Sequence, residues 1–142
     1  MRALRRFRNL PPTRRRLAVT SLLTVAAVRI GLAVLPFGRL RAILRRVKSS
    51  PSRRPGAVPS AEELAWAVGV ASRYVPRATC LVQALALELL LARSGRAAEV
   101  RIGVAKQNGH LQAHAWVESE GQRLLEDSEP TRFTSLPSGW RR

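Results

Sequence analysis

Only one cysteine, Cys80, occurs in the 142 residues, so no internal disulfide can form. Two histidines and one cysteine also give too few soft ligands for a structural zinc centre, and neither a metal nor a cofactor is expected. Nothing in the chain requires an oxidising compartment, and a cytoplasmic location is the expectation. Aromatic residues are scarce at 5%, which leaves no stacking platform for bases. Without that shortage, the net charge of +16 would suggest a nucleic-acid partner. Acidic residues are missing altogether from residues 1–54, which hold 15 of the 25 Lys and Arg. Residues 55–142 hold 10 basic and 9 acidic residues, a balance of +1. The charge is therefore confined to one stretch, and no nucleic acid is expected as a partner.

What is present fits one domain with a modest core, since 46% of residues are apolar. The composition divides it into a basic, helical N-terminal segment, 1–54, and a balanced core, 55–142. Leu17 to Pro36 is about as long as a membrane span and follows Arg14, Arg15 and Arg16. Arg29 inside it would cost about 2.5–3.5 kcal/mol at the centre of a bilayer. Thr20, Ser21 and Thr24 dilute the run as well, so one or two helices packed on the domain are expected, with Arg29 at the edge. A second basic cluster, Arg39, Arg41, Arg45, Arg46 and Lys48, suits peripheral contact with anionic lipid.

Ser49 to Pro59 reads as a linker, rich in Ser, Pro and Arg. Ser60 and Glu63 form a capping box for a helix with Leu64, Ala67, Val68, Ala71 and Val75 on one face. Pro76 is expected to end it. Thr79 then caps a second helix that opens on Cys80 and is apolar almost all round, through Leu81, Leu85 and Leu89 to Leu91. Such a helix belongs in the middle of a domain, and Gly95 stands where its C-terminal cap is expected. Beyond Gly95 the period changes to alternation. Val100, Ile102 and Val104 mark a strand, Asn108-Gly109 a hairpin turn, and His110 to Glu118 a second strand. Gly121 marks another turn, and Gln122 to Asp127 a third strand. The outline is α+β, a central helix followed by an antiparallel meander.

Three groups could carry chemistry. Cys80 lies in the first turn of a helix, at the positive end of its dipole, a setting used by nucleophilic cysteines; a lone Cys there is more commonly packing. His114 lies mid-strand on the face shared with Gln112 and Trp116, whereas His110 follows the hairpin turn and is the weaker base. A carboxylate that orients the imidazole would be Glu126 or Asp127. A two-residue loop, Glu120-Gly121, sets His114 opposite Asp127; a three-residue loop from Ser119 to Gly121 sets it opposite Glu126. The Gly in third position favours the longer loop. Cys, His and a carboxylate in this order, with the Cys on a helix and the His on a sheet, form the arrangement of papain-like peptidases.

The stretch Ala78-Thr79-Cys80-Leu81-Val82-Gln83-Ala84-Leu85-Ala86, then Ile102-Gly103-Val104, then Ala113-His114-Ala115-Trp116-Val117-Glu118 with Gly121 beyond, resembles the lasso-peptide B proteins. These are leader peptidases of the transglutaminase-like superfamily, and the resemblance covers about residues 60–127. It implies a transglutaminase-like, papain-like core with N-terminal helices. It also implies Cys80 as nucleophile, His114 as general base and acid, and Glu126, or alternatively Asp127, as the orienting acid. The implied substrate is a lasso precursor peptide whose core passes to the ATP-dependent cyclase of the pathway. Residues 1–59 show no alternating strands, so the chain looks like the split, protease-only form that works with a separate leader-recognition protein. Two competing expectations stand beside this one. The first is a non-catalytic basic protein of membrane surfaces or nucleic acid; the second is acyl transfer to an amine by the same residues.

Overall fold

The computed structural model describes residues 8–50, 58–125 and 134–135. Helix α1 spans Pro12–Val34. Pro12 at its first position has no N–H to leave orphaned, and Pro36 sends the preceding Leu35 into extended backbone and stops the helix. Ser21, Val25 and Val28, at helical spacing, are buried, while Leu23, Ile30 and Val34 face outward. The apolar N-terminal run is thus a single helix laid on the domain by one face, with Arg29 half-buried. By length and composition alone it is also long and apolar enough to cross a membrane. Helix α2, Phe37–Ser49, is amphipathic: Leu40 and Leu44, four apart, are buried, and Arg39, Arg45 and Arg46 are exposed. Leu40 settles on Gly31, where a Cβ would stand 2.7 Å from Leu40 Cδ1.

Helix α3, Ala61–Ser72, begins with the expected capping box: Ser60 Oγ accepts from the Glu63 N–H, and Glu63 Oε2 accepts from the Ser60 N–H. Leu64, Ala67, Val68 and Ala71 are buried. The helix stops at Ser72, ahead of the expected limit at Pro76. The final turn tightens into three-residue hydrogen bonds, Arg73 N–H to Val70 and Tyr74 N–H to Ala71, and Arg77 takes the left-handed conformation (φ 57°). Of the linker expected over residues 49–59, residues 51–57 lie outside the described residues.

Helix α4, Cys80–Arg93, is enclosed. Val82, Ala84, Leu85, Ala86, Leu87, Leu90 and Leu91 are buried, and α1, α2, α3, β1 and β2 all pack on it. Gly95 (φ 83°) closes it in a Schellman motif: its N–H donates to the Ala92 carbonyl, and the Arg96 N–H donates to that of Leu91. One buried polar side chain interrupts the apolar surface. Glu88 is 2% exposed, and its carboxylate accepts from Arg41 Nη1 at 2.8 Å, Lys48 Nζ at 3.0 Å and the Val100 N–H at 3.4 Å.

The sheet has the order β3-β2-β1-β4 and is antiparallel throughout, with β1 Glu99–Gln107, β2 His110–Ser119, β3 Gln122–Leu124 and β4 Thr134–Ser135. The short β4 was not anticipated from the sequence. Asn108 (φ 50°) and Gly109 (φ 80°) form the expected two-residue hairpin turn. The next turn differs from the expectation of a three-residue loop. Ser119 pairs with Gln122, and Glu120 (φ 51°) and Gly121 (φ 81°) both take left-handed backbone. That conformation gives the mirror-image turn whose twist matches the flanking strands, so a non-glycine residue accepts it. Register divides the sheet by face. Val100, Ala115, Val117 and Leu124 join the core shared with α4; His114, Trp116 and Glu118 share the other face with Arg101 and Arg123. Val25, Val28, Leu40 and Leu44 belong to the same core, so the boundary at residues 54 and 55 is a change in charge and not a break in packing.

Removing the Glu88 carboxylate strands two cations at the edge of the core. Glu88→Ala is expected to lower the unfolding free energy by about 3 kcal/mol in urea titrations, and a loss below about 1 kcal/mol would show these charges to be solvated. Gly103 has no room for a side chain, since a Cβ would stand 2.7 Å from the Trp116 ring and 3.0 Å from the Thr134 carbonyl. Gly103→Ala should therefore cost about 1–3 kcal/mol by overpacking, read as a lowered thermal midpoint.

Candidate functional site

Cys80 is the first residue of α4 and half-buried, packed against the edge of the core. Its position is fixed from both sides. Thr79 is the N-cap, as its residue type suggests: its hydroxyl accepts from the Val82 N–H at 3.5 Å, and its own N–H donates to the Arg77 carbonyl at 2.9 Å. One turn along, Gln83 donates from Nε2 to the Ala78 carbonyl at 3.1 Å, holding the peptide that leads into Cys80. The first N–H groups of a helix have no intrahelical acceptor, so a helix start beside a nucleophile is suited to receive an oxyanion.

His114 stands mid-way along β2, half-buried, opposite Gly103 of β1. Its Nε2 lies 3.2 Å from the Leu125 carbonyl. With the proton on Nε2, the ring donates there and keeps Nδ1 as its basic nitrogen. The imidazole lies nearly parallel to the Trp116 indole, with centroids 6.5 Å apart and an interplanar angle of 18°. Trp116 is 1% exposed, donates from Nε1 to Glu118 Oε1 at 3.3 Å, and carries the Arg123 guanidinium 5.3 Å from its ring centroid. Trp116 is expected on the His114 face; its packing on Gly103 is the supporting contact that the sequence does not show. A glycine inside a strand, where a close approach is common, was the signal available.

The other candidates separate. His110 is exposed beside the hairpin turn, as expected of the weaker base. Glu126 and Asp127 lie outside the described residues. The residue before them, Leu125, has left-handed backbone (φ 62°) and follows the last paired residue of β3, Leu124. The expected third strand thus extends to Leu124 in the described residues. The observed Ser119–Gln122 pairing is the two-residue loop, the register for which Asp127 is the expected partner of His114. Cys80 and His114 are carried by elements packed on each other, and among the described residues no hydrogen bond joins them. Nor do the described residues contain a group of three or more His, Cys, Asp or Glu side chains able to hold a metal ion. A surface cavity of about 490 Å³ at the far end of β2, between Glu99, Glu118, Glu120 and Arg123, includes neither Cys80 nor His114.

Residues 22–138 match the family model of the transglutaminase-like superfamily, whose members use Cys-His-Asp chemistry for peptide cleavage and acyl transfer. No curated protein and no solved structure matches the chain. The match runs from within α1 past β4, taking in the capped Cys80 helix and the His114 strand, and the chain belongs to the transglutaminase-like superfamily.

Proposed function

We propose that the protein is a cysteine peptidase that cuts the leader from a lasso precursor peptide, with Cys80 as nucleophile. The observation that carries this reading is Cys80 at the first position of a capped helix that packs on the His114 strand, inside a transglutaminase-like domain. The resemblance of the Cys80 and His114 segments to the lasso-peptide B proteins supplies the substrate class.

In the proposed cycle His114 takes the thiol proton as Cys80 Sγ attacks the carbonyl carbon at the leader–core junction. The carbonyl oxygen becomes an oxyanion facing the free N–H groups at the start of α4. Collapse breaks the C–N bond, and His114 gives its proton to the departing amine, the new N-terminus of the core peptide. The leader remains as a thioester on Cys80. His114 then draws a proton from water, which attacks the thioester, and the leader leaves as a carboxylic acid with the thiol restored. A carboxylate after β3, Glu126 or Asp127, would hold the imidazole in its working tautomer. The Trp116 ring, seated on Gly103, supports the same imidazole from the side. The released core goes to an ATP-dependent cyclase, and a separate leader-recognition protein presents the precursor.

The direct test incubates the neighbouring precursor with this protein and its leader-binding partner, followed by mass spectrometry. Wild type should cut at one bond, Cys80→Ala should leave the precursor intact, and omission of the partner should slow cleavage strongly. Equal processing by Cys80→Ala would remove the nucleophile assignment. Glu126→Gln and Asp127→Asn, measured separately, identify the orienting acid. The variant that loses the imidazole's partner should fall at least about a hundredfold in kcat, and the other should stay within a few-fold of wild type. Small effects from both would overturn the assignment of an orienting acid to either residue.

A further inference from the structure

The outward face of α1 is unaccounted for by the core and by the proposed chemistry. Val19, Leu22, Leu23, Ala27, Ile30, Ala33 and Val34 are all exposed, with Leu23, Ile30 and Val34 at 64%, 62% and 73%. At helical spacing they form one aliphatic stripe, and Val19 to Val34 covers about 22 Å of helix. Exposed arginines flank it along the chain: Arg14 and Arg16 precede it, and Arg39, Arg45 and Arg46 follow on α2, which packs on α1 where Leu40 meets Gly31. Residues 1–54 contain no acidic residue at all.

We propose that α1 lies in the plane of an anionic bilayer, its aliphatic stripe among the acyl chains and the flanking arginines against lipid phosphates. Three observations select this occupant. The stripe has no aromatic residue and no charge, so it lacks the Trp, Tyr and Arg anchors that dominate protein interfaces. Charge of one sign at both ends complements a negatively charged surface and gives none of the mixed rim a protein partner meets. The opposite face of α1 is built into the domain through Ser21, Val25 and Val28, so crossing the bilayer would strip the core of one wall. Lying flat keeps that wall while the outward stripe enters the acyl layer. The proposal does not depend on the peptidase reading.

The test uses the full chain in vesicle flotation, with phosphatidylcholine alone or with about one-third phosphatidylglycerol. Wild type and Cys80→Ala should float with the anionic vesicles alone, and high salt should weaken the binding. The double variant Leu23→Gln, Ile30→Gln should bind at least about tenfold more weakly while its thermal midpoint stays put, since both positions are exposed. Arg39→Gln with Arg46→Gln should lose the preference for anionic lipid. Equal flotation of the Leu23, Ile30 variant would overturn the proposal, as would equal binding of wild type to neutral and anionic vesicles. Resistance of the wild type to alkaline extraction would show a span and overturn the in-plane placement. A dimer broken by the Leu23, Ile30 substitutions, with no vesicle binding, would assign the stripe to a second copy of the chain.

Discussion

Helix α4 is apolar on every side, and each other element is placed by the need to cover it. A helix with one apolar stripe requires one neighbour; one with buried leucines and alanines around its circumference requires a wall on each flank. Helices α1, α2 and α3 supply three walls, and the β1–β2 hairpin supplies the fourth. The exception on that helix strengthens the arrangement. Glu88 cannot stay charged and dry without partners, and the partners come from two different elements: Arg41 and Lys48 of α2, and the Val100 N–H of β1. A single buried carboxylate thereby fixes α2 and the first strand against the same turn of α4. Two of the many basic residues in the N-terminal segment are structural for this reason, whatever the rest contact.

The same constraint sets the position of the chemistry. Because α4 is enclosed, the half-buried first turn is where its backbone donors remain free of intrahelical bonds, and Cys80 is there. The sheet contributes through parity. Ala115 and Val117 must face the core, so His114 and Trp116 turn to the other face, where Gly103 leaves the space the indole needs. Core packing and site geometry are therefore coupled at β2: a shift of one residue in register would exchange the imidazole for a core alanine.

Much of this was legible in the sequence because it depends on neighbours along the chain. The Ser60–Glu63 box, the Thr79 cap, the Gly95 motif and the Asn108-Gly109 turn are local hydrogen-bonding solutions, and each is formed by the residues that encode it. The readings that missed involve competition between local rules. Pro76 bounds the helical stretch as expected, but the residues just before it tighten into three-residue hydrogen bonds, Arg73 N–H to Val70 and Tyr74 N–H to Ala71, so α3 itself ends at Ser72. Gly121 suggested a three-residue loop, but strand twist favoured a turn in which Glu120 also takes left-handed backbone.

Sequence by itself determined the superfamily, the order of elements as far as β3, the helix that opens on Cys80 and the strand that carries His114, because period and capping are properties of short stretches. Tertiary structure decided what distant residues do to one another. It joined the basic segment to the core through Glu88, placed Trp116 on Gly103 beside the imidazole, and left one face of α1 uncovered. None of these is visible along the chain, since each depends on which surfaces remain after the most apolar helix has been surrounded.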